Sequence, residues 1–226
     1  PLLPVGGRPI LDYLVERLDA GEEIDRMVVV TNDKFAGHFE DWASDIDIAT
    51  PLEVINDGTR SNDDRLGAVG DVNLTLERAG LYGQSAYVLA TDNLPKFDLL
   101  EILHLSREKK ASTVFALPVP DRSELTRMGV ADVDEQGRIV SFEEKPAKPK
   151  GEYRVPPFYC YTRDAIDAVP EYLAEGNNPD APGHFLAWLV NREPVFAARP
   201  GVGTWDIGTL ESYRHVQEAF KPEDWD

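Results

Sequence analysis

The sequence predicts an α/β fold built on a mostly parallel sheet with helices on both faces. In its first half, amphipathic helical segments alternate with short apolar segments of β-favouring residues, which is typical of parallel strands joined by right-handed crossovers. The second half changes to a hairpin pattern with further short helices, which indicates a small α+β subdomain. No linker-like boundary separates the halves. We therefore expect one domain over residues 1–226, with parts of about 1–118 and about 119–226.

The first part begins with an amphipathic helix over residues 9–20. Pro9 suits a first helical turn, and Gly21 suits a stop. The elements predicted after it are a strand at 26–32, a helix at 34–44, a strand at 53–55, a helix at 66–78, a strand at 86–93, a helix at 97–110 and a strand at 113–118.

The apolar run at 86–93 stops abruptly at Asp92 and Asn93. We interpret it as a buried central strand that delivers Asp92 to the rim of the sheet, where open α/β sheets bind ligands. The alternative is that Asp92 caps the helix that follows, and strand position alone does not separate the two roles.

A long polar segment at 56–68 is too rich in glycine and charge for a regular element. Loops of this length inside compact domains are often functional. A solvated connection with a helix cap at Asn62 or Asp63 is the open alternative.

The second part opens with a predicted hairpin, strands 129–133 and 138–142 around a turn at 134–137. The elements predicted after it are a strand at 155–162, helices at 164–173 and 183–191, a strand at 195–198 and a last helix ending near residue 220.

Composition limits the classes of partner. The formal net charge of -18 and the pI near 4.6 argue against nucleic acid and anionic membranes, which are polyanions. No apolar run is long enough to span a bilayer, and the single cysteine, Cys160, lies in an apolar strand-like run. We expect a soluble protein in the cytoplasm, with a buried Cys160.

The common motifs of hydrolases, P-loop proteins and zinc enzymes are absent from the sequence. The chain has no G-x-S-x-G elbow and no G-x-x-x-x-G-K-[ST] loop. The four histidines have no metal-binding spacing, and we expect them at surface or packing positions: His38, His104, His184 and His215. The remaining candidates are Asp92, Asp206 and the pair Glu144–Lys145. Two converging carboxylates would suit Mg²⁺, although spacing alone does not show that they meet.

Four segments carry a specific combination of motifs. They read PLLPVGGRPI at 1–10, LATDN at 89–93, GV at 129–130 followed by FEEKP at 142–146, and WDIGT at 205–209. They occur in this order between residues 1 and 209, so the similarity extends over nearly the whole chain. The combination resembles the sugar-phosphate nucleotidyltransferases, in particular their short glucose-1-phosphate thymidylyltransferase-like and uridylyltransferase-like members.

The resemblance implies a Rossmann-like fold with a nucleotide-binding first part and a sugar-binding second part. It implies a Mg²⁺-dependent enzyme that condenses a nucleoside triphosphate with a sugar-1-phosphate, giving an NDP-sugar and pyrophosphate. Asp92 and Asp206 would bind the Mg²⁺ and act in catalysis together with Lys145, which would contact the sugar-1-phosphate. Glu144 would hydrogen-bond sugar hydroxyls. The other implied substrate-binding positions are Gly67, Asn93, Gly129, Val155 and Trp205.

Some departures from the family pattern leave alternatives open. The family's G-x-G-T-R-x-x-P loop is absent, so we expect the chain as given to bind triphosphate poorly and to be inactive. Segment 56–68 replaces the base-recognition loop, and Pro156-Pro157 replaces a Thr-Gly beside the sugar, so base and sugar both stay open. The alternative functions are a cytidylyltransferase acting on an alcohol or polyol phosphate and an inactive nucleotide-sugar-binding regulatory protein. Homo-oligomerisation also stays open.

Overall fold

The structure is a computed structural model that describes residues 1–119, 122–221 and 225. Its α-helices are α1 (Ile10–Ala20), α2 (Ala36–Asp45), α3 (Ala68–Ala79), α4 (Glu101–Lys109), α5 (Arg163–Asp167), α6 (Val169–Ala174), α7 (Pro182–Leu189) and α8 (Leu210–Ala219), with a 3₁₀-helix at Arg122–Arg127. Its strands are β1 (Pro4–Val5), β2 (Arg8–Pro9), β3 (Met27–Thr31), β4 (Leu52–Asn56), β5 (Ala86–Leu89), β6 (Asn93–Pro95), β7 (Ser112–Phe115), β8 (Leu117–Pro118), β9 (Gly129–Val133), β10 (Ile139–Glu144), β11 (Tyr153–Val155), β12 (Phe158–Tyr161), β13 (Val195–Ala198) and β14 (Thr204–Asp206).

The chain forms two compact units, and each draws on separated segments. Unit 1 consists of Pro1–Arg60, Ala90–Leu100 and Gly203–Asp226. Unit 2 consists of Ser61–Leu89 and Glu101–Val202. The sequence predicted a single domain whose parts meet near residue 118, and that division stays a prediction.

Unit 1 combines one parallel strand pair with two antiparallel pairs, of which β1–β2 is one. β3 and β4 are parallel, with Met27 opposite Leu52, and β6 and β14 are antiparallel. Helix α1 buries the apolar stripe expected of an amphipathic helix, whose members are Ile10, Leu11, Leu14, Val15 and Leu18. The Tyr13 hydroxyl on the same helix donates to the Val5 carbonyl at 2.8 Å, which fixes the chain that leads into α1.

Unit 2 contains two four-stranded sheets. The first has the order β13-β7-β12-β5, in which β13 and β7 are parallel and β12 runs antiparallel to both of its neighbours. The second has the order β10-β9-β11-β8 and includes the predicted hairpin. Aromatic side chains fill the core beneath the first sheet, where Tyr161 stacks on Tyr159 and Phe185 packs edge-on against Tyr161 and Tyr172.

The α/β class predicted from the sequence is confirmed, but the run at 86–93 is not one central strand. Among the described strands β5 is an edge strand, paired only with β12, and it is half-buried. It ends at Leu89. The backbone then turns, and Asn93 begins β6 in the other unit. An apolar run of this length fits an edge strand as well as a central one, which is why composition misassigned it.

Three other predicted elements are each divided in two. Residues 113–118 contribute to β7 and β8, which belong to different sheets. The strand predicted at 155–162 is interrupted at Pro156-Pro157, because Val155 ends β11 and Phe158 begins β12. Proline has no N–H to donate to a ladder, so this pair marks the break. The helix predicted at 164–173 is split into α5 and α6, with Pro170 in the first turn of α6.

The core of unit 2 supports a stability prediction. Ile102 of α4 is fully buried, so Ile102→Ala leaves a cavity and lowers the free energy of unfolding by about 2–5 kcal/mol. Urea unfolding followed by circular dichroism measures the change. Val140→Ala, at a side chain that is 62% exposed, is the matched control and changes stability by less than about 1 kcal/mol. Equal losses in the two variants would contradict the assignment of this core.

Candidate functional site

In unit 1, a short strand pair brings two distant carboxylates together. Asp206 is opposite Asn93 in the β6–β14 register, and the Ile207 N–H donates to the Asp92 carbonyl at 2.9 Å. Leu94 and Ile207 are buried beneath this pair, whereas Asp92 and Asp206 are exposed. The local fold therefore anchors the backbone through apolar side chains and leaves the two carboxylates open to solvent. We call Asp92 and Asp206 the acidic pair.

Hydrogen bonds orient both carboxylates of the acidic pair. The Asn93 side-chain amide donates to Asp92 Oδ1 at 2.9 Å, and the Thr204 hydroxyl donates to Asn93 Oδ1 at 3.1 Å. The Gly208 N–H donates to Asp206 Oδ1 at 2.9 Å. Each carboxylate thus has at least one fixed donor, which limits its rotation.

Gly208 shows that the two carboxylates face the same small volume. A Cβ placed on Gly208 would lie 3.2 Å from Asp206 Oδ1 and 3.4 Å from Asp92 Oδ2. Hard oxygen donors such as these suit Mg²⁺, which commonly takes one or two carboxylates and completes its shell with water and phosphates. Among the described residues, no group of three or more His, Cys, Asp and Glu side chains forms a metal-binding cluster. The acidic pair fits a Mg²⁺ that shares its shell with substrate.

Trp205 lies beside the acidic pair on β14. The Lys96 ammonium is 3.5 Å from the centroid of the indole ring, which is a cation–π contact. The centroid of the His215 ring is 6.2 Å from the centroid of the Trp205 ring. Trp205 is half-buried. Lys96 thus covers one face of the indole. The contact between Trp205 and substrate stays a prediction.

In unit 2, the β9–β10 hairpin presents Glu144 next to two glycines. Gly129 is opposite both Glu144 and Val155 in its two strand pairings. A Cβ on Gly129 would approach the Glu144 carboxylate to 3.1 Å, and a Cβ on Gly183 of α7 would overlap it. The carboxylate therefore occupies space that two missing side chains leave free. We call Gly129, Glu144, Lys145 and Gly183 the Glu144 cluster.

Lys145 follows Glu144 at the end of the hairpin in an unusual backbone conformation. Its φ of 47° lies in the left-handed region, and its N–H donates to the Met128 carbonyl at 3.1 Å. The side chain is exposed. Burial raises the pKa of the Glu144 carboxyl above its ordinary value, and the nearby Lys145 charge opposes that shift in part.

Gly67 precedes α3 with a φ of 78°, a conformation that favours glycine. A Cβ there would approach the Pro179 carbonyl oxygen to 2.6 Å. The Val69 N–H donates to the same oxygen at 2.9 Å, and the Ala68 N–H donates to the Asp180 carbonyl at 3.2 Å. The start of α3 is thus bound to the loop before α7, and the base-binding role predicted for Gly67 stays a prediction.

The predicted residues are distributed over both units. Unit 1 holds Asp92, Asn93, Trp205 and Asp206, and unit 2 holds Gly67, Gly129, Glu144, Lys145 and Val155. The sequence did not predict that Gly208 adjoins the acidic pair, or that Gly129 and Gly183 leave space for the Glu144 carboxylate. Only coordinates show what a Cβ at a glycine would contact. The sequence also predicted His184 to be a surface or packing residue, although that histidine follows Gly183 in α7.

Comparison with known proteins identifies the family. A family model described as "Nucleotidyl transferase" matches residues 1–222, and the chain belongs to that family. A solved UDP-glucose pyrophosphorylase complexed with UDP-glucose has the same fold, with a TM-score of 0.79 at 20% sequence identity, over 96% of this chain and 88% of that one. The expected resemblance to sugar-phosphate nucleotidyltransferases is confirmed.

Curated relatives are sugar-1-phosphate nucleotidyltransferases by name. A glucose-1-phosphate thymidylyltransferase of Actinoplanes sp. is 27% identical over 199 residues, which are 84% of this chain and 58% of that protein. A glucose-1-phosphate adenylyltransferase 1 of Vibrio parahaemolyticus is 43% identical over 139 residues, which are 59% of this chain and 33% of that protein. The chain therefore spans less than two thirds of the length of either relative. No described helix is long and apolar enough to cross a membrane.

The raised pKa of Glu144 predicts a pH-dependent stability difference. A carboxyl whose pKa is higher in the folded state binds its proton more tightly there, so its contribution to stability falls as pH rises from the ordinary glutamate range, about 4.3, through the raised pKa. Glu144→Gln removes this fall. Relative to the wild type, we expect the variant to gain stability as pH rises to 7.

Urea midpoints of both proteins between pH 4 and about pH 8 measure the difference. Glu143→Gln, at the exposed neighbouring position, is the control for the loss of one negative charge. A Glu144→Gln curve that runs parallel to the wild-type curve over the whole range would contradict the burial of this carboxylate.

Proposed function

We propose that this protein transfers a nucleotidyl group from a nucleoside triphosphate to a sugar-1-phosphate in a Mg²⁺-dependent reaction, releasing pyrophosphate. The observation that carries the proposal is the acidic pair, whose two oxygens face one point beside Gly208 in a chain of the nucleotidyl transferase family. The names of the relatives make glucose 1-phosphate the first acceptor to test. The base stays open, because the relatives differ in it.

The acidic pair is the group that would hold the metal. Its hydrogen bonds from Asn93 to Asp92 Oδ1 and from Gly208 to Asp206 Oδ1 orient the carboxylates without supplying a competing positive charge. When bound, Mg²⁺ would supply charge neutralisation for crowded phosphates. The chain has net charge -18, so a triphosphate approaching it needs such local compensation.

The Glu144 cluster is the group that would bind the sugar-1-phosphate. The Glu144 carboxylate can accept hydrogen bonds from sugar hydroxyls, and the exposed Lys145 ammonium can donate to a phosphate oxygen. A phosphate oxygen of the sugar attacks the α-phosphorus of the nucleoside triphosphate, the bond to the β-phosphate oxygen breaks, and pyrophosphate leaves. The protein needs no nucleophile of its own, because in-line positioning and electrostatic stabilisation lower the barrier.

A pyrophosphate-release assay tests the proposal. The full-length protein is incubated with Mg²⁺, each of the common nucleoside triphosphates, and either a sugar-1-phosphate or an alcohol or polyol phosphate. We expect release only in the presence of a sugar-1-phosphate. Release with CTP and a polyol phosphate alone would favour the cytidylyltransferase alternative, and binding of an NDP-sugar without any release would favour a regulatory protein.

Substitution of the acidic pair gives a direct prediction. Asp92→Asn and Asp206→Asn each remove one anionic oxygen ligand, and we expect the turnover number to fall by at least about 100-fold in either variant. Both side chains are exposed, so unfolding midpoints stay close to the wild-type value. Glu40→Gln, an exposed carboxylate on α2, is the control and retains turnover. Near-normal rates in either aspartate variant would show that the metal ligands are misassigned.

Gly208→Ala gives a second prediction. The added methyl group would lie 3.2 Å from Asp206 Oδ1 and 3.4 Å from Asp92 Oδ2, in the volume that a cation would share. We expect the affinity for Mn²⁺, used as a paramagnetic substitute for Mg²⁺, to fall by about 10-fold. Gly37→Ala on α2, where a Cβ meets nothing within 4 Å, is the matched control. Unchanged Mn²⁺ binding by the Gly208 variant would contradict this position for the metal.

A further inference from the structure

His184 lies in the first turn of α7, directly after the glycine that packs on Glu144. Gly183 is buried, and the Glu144 carboxylate occupies the space of its missing side chain. The His184 ring is half-buried, and its charge interacts with the Lys145 ammonium. The histidine therefore adjoins the Glu144 cluster through Gly183.

Asn178 fixes which nitrogen of the His184 ring carries the proton. The Asp180 N–H donates to Asn178 Oδ1 at 2.9 Å, and a backbone N–H can only donate, so the amide oxygen must face it. The Asn178 Nδ2 group then faces His184 Nε2 at 3.2 Å. An amide NH₂ is a donor, so Nε2 accepts. The proton of the neutral ring is on Nδ1.

The loop that carries Asn178 is held at several points. The Tyr172 hydroxyl donates to the Asn178 carbonyl at 2.5 Å, and Arg65 pairs with Asp180 at 2.7 Å. The Val69 N–H donates to the Pro179 carbonyl at 2.9 Å. These contacts hold the backbone around Asn178, and the Asp180 N–H orients the Asn178 side-chain amide that faces His184.

The charged groups around His184 favour the neutral ring. Burial and the Lys145 charge lower the pKa of the imidazole, and Asp180 opposes them. Glu144 lies on the adjoining Gly183, and Asp180 is itself paired with Arg65. At neutral pH the ring is a neutral donor through Nδ1, and among the described residues no protein acceptor is seen for that N–H.

We propose that the His184 Nδ1–H donates a hydrogen bond to the phosphate group of the sugar-1-phosphate that Lys145 binds, and that Asn178 is its positioning residue. The proposal rests on the proposed function, because it gives the Glu144 cluster a phosphorylated sugar as ligand. Lys145 supplies a point charge and His184 a directional neutral donor. Together they would favour a phosphate over a neutral sugar at this position.

Two substitutions of the same histidine separate the two ring nitrogens. His184→Asn keeps an N–H near the place of Nδ1, whereas His184→Gln places its amide near Nε2. We expect the KM for glucose 1-phosphate to rise about 10-fold in His184→Gln and clearly less in His184→Asn, with the KM for the nucleoside triphosphate unchanged in both. His38→Gln, at an exposed position on α2, is the control. Equal effects of the two His184 substitutions, or an equal rise in both KM values, would overturn the proposal.

Nitrogen NMR of the full-length protein labelled at histidine provides a readout that does not depend on turnover. The His184 signals are identified by their loss in His184→Gln. We expect the neutral tautomer protonated at Nδ1, a change of tautomer in Asn178→Asp, and a shift of Nδ1 on addition of glucose 1-phosphate. Inorganic phosphate tests whether the phosphate group alone suffices.

The NMR result separates the two proposals. A shift of Nδ1 with glucose 1-phosphate, in a protein that releases no pyrophosphate from any substrate pair, would refute the proposed enzymatic function and support the phosphate contact. Pyrophosphate release, with no shift of the His184 Nδ1 signal on addition of glucose 1-phosphate, would support the enzymatic function and refute the phosphate contact. A ring protonated at Nε2 in the free protein would also overturn the role of His184.

Discussion

The three-residue pairing of β6 with β14 is the constraint on which unit 1 depends. It joins segments more than a hundred residues apart in sequence, and its register places Asp206 opposite Asn93. Such a contact closes a long loop, which carries an entropic cost, and the buried side chains of Leu94 and Ile207 offset that cost. The carboxylates themselves contribute little to folding, because they are exposed. The side chains that stabilise this pairing are thus different from the carboxylates for which a role in metal binding is proposed.

Unit 2 differs, because there the carboxylate with a proposed role in sugar binding is itself packed. Glu144 is accommodated by the absence of side chains at Gly129 and Gly183, and its raised pKa is the electrostatic consequence of that burial. A half-buried carboxylate destabilises the fold at neutral pH, and the neighbouring Lys145 offsets this only in part. Binding groups are commonly maintained at such a loss of stability, since solvation would weaken their directional contacts.

The sequence predicted the α/β class, the β9–β10 hairpin and the family, because these depend on local periodicity and on contiguous motifs. It did not predict where strands change sheets. The run at 86–93 contains no proline or glycine at its break, whereas Pro156-Pro157 does mark one. The role proposed for His184 was also beyond reach, since it depends on an amide six residues away whose orientation a third residue decides. Patterns along the chain carry no information on such contacts.

The interleaving of the two units limits how segments of this protein can be exchanged by recombination or engineering. The chain passes from one unit to the other after Arg60, after Leu89, after Leu100 and after Val202. No single cut of the gene can release either unit whole, so neither can be exchanged between relatives by one crossover. Chimaeras designed with one junction will therefore divide at least one unit, and exchange of a whole unit needs two or more junctions.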